Sequence, residues 1–323
     1  MKTSLFHFQR RRSMKIGSNG ILVNQFSQVL LIRRDDTRTF APPGGLMEKG
    51  ELPTDNVVRE VREETGLIVM PVRLTGLYFW PLKPTGVLNF TFRCLQRGGE
   101  LQTSPESPQV GFFSTNQLPR NMLQVHRQRL EHALTHVGGA PHWQTAKTGL
   151  FTEIGRWLVF NLIYPFKDWR RARRGESPYV APPDWRVGAF VVVRDESGQV
   201  LWIRRRDRDV WNLPGGGGRV MEPPWETAVR ETYEETGLHV RLTNLTGVYV
   251  YENESHMILT FTGEVTGGTL TPNPEAAEFG WFTPGAEPPN TVPQHIERVA
   301  DAVSGHSHTL FRIQSKQSVS EFE

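Results

Sequence analysis

The sequence predicts an α/β chain built from two tandem copies of one domain, and three observations carry that reading. A glycine-rich loop leading into an acidic helix occurs twice, as GLMEKGELPTDNVVREVREETGL from Gly45 to Leu67 and as GGGRVMEPPWETAVRETYEETGL from Gly216 to Leu238. Each copy is preceded by two short β-type runs separated by polar residues. Each is followed by matching downstream segments. Glu106-x-x-Gln109-Val-Gly-Phe-Phe aligns with Glu275-x-x-Glu278-Phe-Gly-Trp-Phe, and Pro119-x-Asn121 with His126-x-x-Arg129 aligns with Pro288-x-Asn290 with His295-x-x-Arg298. The repeated unit is about 130 residues, a typical domain size, and a chain of 323 residues accommodates two.

Taken in order, residues 1–16 read as a basic arm around Arg10, Arg11 and Arg12, the first domain as 17–138, a connector as 139–185, the second domain as 186–312 and a tail as 313–323. In the first domain the β-type runs Gly20–Val23 and Val29–Ile32 lead to the loop Phe40–Gly45. In the second, Ala189–Val193, a turn at Asp195–Gly198 and Val200–Ile203 lead to Trp211–Gly216. Further strands are expected near Leu74–Trp80 and Leu88–Cys94, and near Thr246–Tyr251 and Met257–Phe261.

The acidic segments have helix signals at both ends. Pro53 suits a first turn, and Gly66 suits the left-handed residue that ends a helix. At roughly 100° per residue, Glu60, Glu63 and Glu64 share one face, with Val57, Val58 and Val61 opposite. Glu231, Glu234 and Glu235 repeat the face behind Arg230, as Glu60 and its partners do behind Arg59. Clustered like charges repel, so a helix that keeps them has a cation to hold, and carboxylate oxygens suit Mg²⁺.

Both segments resemble the Nudix box: Gly, five residues, Glu, seven residues, Arg-Glu, an apolar residue, any residue, Glu-Glu, any residue, Gly, and an apolar residue. The first copy matches at Gly45, Glu51, Arg59, Glu60, Val61, Glu63, Glu64, Gly66 and Leu67. The second matches at Gly216, Glu222, Arg230, Glu231, Glu234, Glu235, Gly237 and Leu238, with Thr232 at the usually apolar position, a departure that concerns packing. The resemblance implies two tandem Nudix folds, each a mixed β-sheet sandwiched between helices. It implies hydrolysis, with Mg²⁺ or Mn²⁺, of the diphosphate bond of a nucleoside diphosphate linked to a further group. Residue by residue, it assigns metal binding to Glu60, Glu63, Glu64, Glu231, Glu234 and Glu235, with the backbone carbonyls of Gly45 and Gly216. Arg59 and Arg230 orient those carboxylates, and Glu63 and Glu234 are counted with the catalytic groups.

Glu51 and Glu222 are expected as structural partners, and His126 and His295 as capping and packing residues. In some members of the family a downstream carboxylate helps bind metal or accepts the water's proton. Glu278 is the residue expected to do so; Gln109 stands in its place in the first copy, which makes the C-terminal half the better hydrolase. The shared pair Glu106 and Glu275 is the alternative. For the substrate, ADP-ribose or a nucleotide sugar comes first and an oxidised nucleoside triphosphate second. A nucleotide-sensing module with one catalytically weak copy is the rival from another class.

Lys plus Arg total 37 against 34 Asp plus Glu, a near-balance that argues against a stable nucleic-acid complex, while the resemblance implies a small nucleotide as partner. Cys94 is the single cysteine, which excludes an intrachain disulfide. The first residues lack the apolar run of a signal peptide and no stretch has the length of a spanning helix, so a cytoplasmic protein is expected. Within the connector, Leu150, Phe151, Ile154, Trp157 and Leu158 recur at helical spacing, and Lys167, Arg170, Arg171, Arg173 and Arg174 follow. A helix docked between the domains is expected there, contact of residues 150–174 with an anionic membrane surface being the alternative.

Overall fold

Alternating apolar runs closed by glycine and proline turns form the strands, and the end signals of the acidic segments delimit the helices. The computed structural model describes residues 13–146, 182–207 and 209–315. The first unit comprises β1 (Ser13–Leu22), β2 (Gln28–Arg33), β3 (Phe40–Ala41), β4 (Gly44–Leu46), α1 (Pro53–Thr65), β5 (Leu67–Trp80), β6 (Val87–Gly99), β7 (Gln109–Ser114), α2 (Gln124–Thr135) and β8 (His142–Thr145). The second repeats it as β9 (Trp185–Val193), β10 (Val200–Arg205), β11 (Trp211–Asn212), β12 (Gly215–Gly217), α3 (Pro224–Thr236), β13 (Leu238–Tyr251), β14 (His256–Gly268), β15 (Ala276–Phe282), α4 (Pro293–Val303) and β16 (Leu310–Gln314). This is the mixed α/β architecture expected of the duplicated chain.

Pro53 and Pro224 occupy the first turns of α1 and α3, and Gly66 (φ 74°) and Gly237 (φ 78°) end them in the left-handed conformation. Val57 and Val61 are fully buried, as the helical pattern predicts, whereas Val58 is only partly buried. Thr232, the departure from the apolar pattern, is also buried; its hydroxyl donates to the Ala228 carbonyl one turn back at 2.7 Å, which removes the cost of burying it.

The central sheet runs β16-β13-β14-β9-β1-β6-β5-β8, with β4 added on β1 and β12 on β9. Its halves join where β1 and β9 pair antiparallel, Ser13 opposite Arg186 and Met14 opposite Trp185. The strand order is symmetric about that seam. Trp143 of β8 packs edge-on against Phe261 of β14 at 5.8 Å, and Phe311 of β16 packs against Phe92 of β6 at 5.4 Å. Parallel registers on β5 and β13 make Trp143 and Phe311 equivalent, so the two units exchange the same contact, as subunits of an isologous dimer do. One apolar cluster runs through both.

Two boundaries shift accordingly. Ser13–Ile16 belong to β1 rather than to a patternless arm. His142–Thr145, read as the start of a connector without counterpart, form β8, which corresponds to β16. The connector helix and basic run at 150–174 lie outside the described residues. Among those described, no helix is long and apolar enough to cross a membrane.

Candidate active sites

In each unit the glycine loop packs directly on the acidic helix. The Gly44 N–H donates to Glu64 Oε2 at 2.7 Å, and the Gly215 N–H to Glu235 Oε2 at 2.8 Å. Gly44 (φ 147°) and Gly215 (φ 143°) hold a backbone conformation that favours glycine. A Cβ on Gly45 would collide with the Glu60 carboxylate, and one on Gly216 with that of Glu231. The Gly45 and Gly216 carbonyls lie in turn against Gly17 and Gly188, which have no side chain to cover them.

Arg59 collects the remaining carboxylates. It forms a two-pronged ion pair with Glu51, through Nε at 2.8 Å and Nη2 at 3.0 Å, while Nη1 reaches Glu60 at 2.9 Å and Glu63 at 3.1 Å. Arg230 repeats this with Glu222, Glu231 and Glu234. Glu51 and Glu222 also accept the backbone N–H groups of Glu48 and Arg219, so both act as structural partners. The three carboxylates of the predicted face separate. Glu60 and Glu64 turn inward to the glycine loop, while Glu63 is 59 % exposed and paired, among the described residues, with Arg59.

Among the described residues no group of three His, Cys, Asp or Glu side chains stands ready-made for a metal ion. The donors nonetheless fit a hard divalent cation, which takes oxygen ligands, keeps several waters and needs only one or two carboxylates beside substrate phosphate. Two inward carboxylates and an uncovered carbonyl meet that requirement in each unit. Burial pushes Glu64 and Glu235 up to about 8 and Glu60 up to about 7, against the lowering effect of the Gly44, Gly215 and Arg59 donors. An acid whose folded-state pKa is raised is destabilising above its unfolded value, so the metal-free fold should lose stability as pH rises from about 4.5 through 8. Cation binding must expel these protons. Calorimetry in buffers of different ionisation enthalpy should therefore show proton release on Mg²⁺ binding at pH 6.5, vanishing above pH 8.5, with affinity rising in between.

Glu278 is placed differently from expectation. It lies on β15 opposite Arg204, bonds to Arg204 Nη1 at 3.1 Å and is 56 % exposed. The carboxylate whose charge reaches Glu235 is Glu275, as that of Glu106 reaches Glu64. Backbone bonds hold these segments at the helix end: Asp35 N–H to the Glu106 carbonyl, Arg206 N–H to that of Glu275, and Asn273 Nδ2 to that of Glu235. Glu106 and Glu275 thus act on the buried carboxylates through their charge, while Glu278 is paired with Arg204.

The two loops are tethered by different chemistry, which sequence reasoning missed. His295 is buried and neutral, and its Nδ1 accepts the Leu213 N–H at 2.9 Å. The first unit has Pro42 at that loop position, with no N–H to give, and buried His126 Nδ1 has no partner among the described residues. There the loop is held from its carbonyl side: Asn19 Nδ2 donates to Pro42 at 3.2 Å, and Arg129 Nη1 fixes Asn19 Oδ1 at 3.0 Å. Phe190 stands at the Asn19 position of the second unit. The Pro42 and Leu213 difference was the available signal. Leu213→Pro should then destabilise the second unit by roughly 1–3 kcal/mol, the cost of orphaning a buried acceptor, read as a lower denaturation midpoint with the first unit's metal binding unchanged.

Comparison with known proteins agrees with this geometry. The NUDIX domain model matches residues 15–134 and 184–302. A putative 8-oxo-dGTP diphosphatase of Bacillus subtilis is 38% identical over 122 residues, covering 36% of this chain and 80% of that protein. An ADP-ribose pyrophosphatase of Methanocaldococcus jannaschii is 38% identical over 104 residues, 31% of this chain and 62% of that protein. Among solved structures, an ADP-ribose pyrophosphatase from Streptococcus suis is 25% identical, covering 40% of this chain and 98% of that one with a TM-score of 0.35. With both halves matched, the chain belongs to the NUDIX family as a tandem of two Nudix domains, a hydrolase of pyrophosphate bonds.

Proposed function

We propose that both units hydrolyse the diphosphate bond of a small nucleotide substrate with Mg²⁺ or Mn²⁺. The observation that carries this reading is the inward pair Glu60 and Glu64, repeated as Glu231 and Glu235, each pair set on its glycine loop. When bound there, a divalent cation supplies neutralisation of phosphate charge and a lowered pKa for its water. The chain's own residues do the positioning. Gly44 and Gly215 fix Glu64 and Glu235 through one oxygen each. Arg59 and Arg230, anchored on Glu51 and Glu222, hold Glu60 and Glu231 against rotation. Glu63 and Glu234, exposed at the rim and paired with Arg59 and Arg230, would offer a further oxygen to the cation or take the water's proton.

The substrate proposed first is ADP-ribose or a nucleotide sugar. An oxidised nucleoside triphosphate is second, supported by the likeness to the Bacillus subtilis protein. A product-resolved screen of nucleotide sugars, dinucleoside polyphosphates and oxidised triphosphates with Mg²⁺ or Mn²⁺ tests this. Release of nucleoside monophosphate is expected; no turnover of any member would favour a nucleotide-sensing module. The absence of a stable nucleic-acid complex remains part of the proposal on the near-balanced charge, and a cytoplasmic location on the sequence's lack of a long apolar run.

A further inference from the structure

We propose that the first unit holds a pair of hydrogen-bond acceptors of its substrate on the free edge of Arg129, and that the second unit has taken one arm of the same edge with its own side chains. This rests on the reading of the units as nucleotide hydrolases. Arg129 is 2% exposed and lies over Tyr78 and Trp80, its Cζ 5.1 and 4.8 Å from their ring centroids. One nitrogen, Nη1, is used by Asn19. Among the described residues Nε and Nη2, which share one edge of the guanidinium, have no partner. Burial lowers its pKa only to about 10, so it is charged at neutral pH. A buried cation left without acceptors is strongly unfavourable, and a fold that tolerates one points to an acceptor supplied from outside.

The second unit shows what such an acceptor looks like. Arg298, over Phe190 and Tyr249, donates from Nη2 to Gln314 Oε1 at 2.8 Å and to the Tyr251 hydroxyl at 3.3 Å, while its Nε has no partner among the described residues, so one arm of the fork is taken and the pair is broken. The registers of β16 on β13 and of β8 on β5 put Ala146 where Gln314 stands and Trp80 where Tyr251 stands. Neither residue offers a side-chain acceptor. Trp80, partly exposed at the end of β5, lies against the face of the guanidinium. Asn19 links the same arginine to the loop before Gly44, the loop whose backbone also holds Glu64.

The Nε and Nη2 donors form a fork that matches two neighbouring acceptors. Guanine O6 and N7 present such a pair, whereas adenine places an amino donor beside N7; a phosphate presents a pair of oxygens. Arg129 already stacks on Tyr78 and Trp80 and gives Nη1 to Asn19, which leaves the in-plane edge for such a pair.

Calorimetry on the intact chain in EDTA, where turnover is stopped, separates this from the hydrolytic reading. GMP, AMP and ribose 5-phosphate are the probes. About one GMP per chain is expected, with AMP weaker by on the order of 10-fold. Ala146→Gln, which supplies the second unit's acceptor to the first, should reduce GMP affinity by on the order of 10-fold with the melting temperature unchanged. Equal binding of all three probes, lost in Ala146→Gln, would assign the fork to phosphate and sustain the proposal. Gln314→Ala should open a second GMP site; stoichiometry left at one would overturn the role given to the taken arm in the second unit. GMP binding unaffected by both Ala146→Gln and Arg129→Lys would overturn the site itself.

Discussion

The doubly substituted protein Glu64→Gln, Glu235→Gln should stay folded and lose turnover by on the order of 10²–10³, the loss of several kcal/mol of charge stabilisation at phosphorus. The fold survives because Gln is nearly isosteric with the protonated acid, the form that burial already favours at neutral pH. Its amide oxygen still accepts the Gly44 and Gly215 N–H groups. What disappears is the anionic oxygen available to a cation. Each single variant should retain the other unit's share of the activity, so their sum accounts for the wild type. Measuring turnover beside thermal melts checks both halves of the expectation.

Arg59→Ala should cause the largest loss of stability of any change on the acidic helix. The side chain is 25% exposed and serves Glu51, Glu60, Glu63 and the Leu46 carbonyl together. Its removal leaves two largely buried carboxylates facing each other uncompensated, a cost of about 3 kcal/mol for a pair that retains some solvent. Urea denaturation in EDTA should show the drop, and Mg²⁺ should recover part of it by replacing the lost charge. Arg59→Lys should recover little, because an ammonium cannot bridge both Glu51 oxygens and Glu60 in one plane. Arg230→Ala should behave likewise in the second unit, where the network is the same.

The site was legible in the sequence where its logic is local. An i, i+4 carboxylate pair, a proline and a glycine at the helix ends, and two glycines before it follow from helical geometry, and Glu64 and Glu235 lie where that geometry puts them. The inward and outward split of the three carboxylates was not legible. It arises because side-chain-free Gly45 leaves room for the Glu60 carboxylate and the Gly44 N–H holds Glu64, contacts made between loop and helix, whereas Glu63 keeps an ion pair within the helix. The partner of Glu278 was not legible either, because a strand alternates its faces and the residue it meets lies on another strand: Phe279 packs inward, and Glu278 faces Arg204. The seam between β1 and β9, and the reciprocal contacts of Trp143 and Phe311, depend on pairing between residues far apart in the chain and leave no local pattern. The fate of Arg129 shows only when Ala146 is set beside Gln314, a comparison that requires the strand register.

The most direct test of two cation-holding helices is a titration of Mn²⁺, followed by electron paramagnetic resonance of the free ion, on wild type, the two single variants and the double variant with a nucleoside monophosphate present. The account predicts saturable binding in both units of the wild type, loss of one unit's share in Glu64→Gln or Glu235→Gln, and loss of both in the double variant at unchanged melting temperature. Wild-type binding by the folded double variant would contradict it.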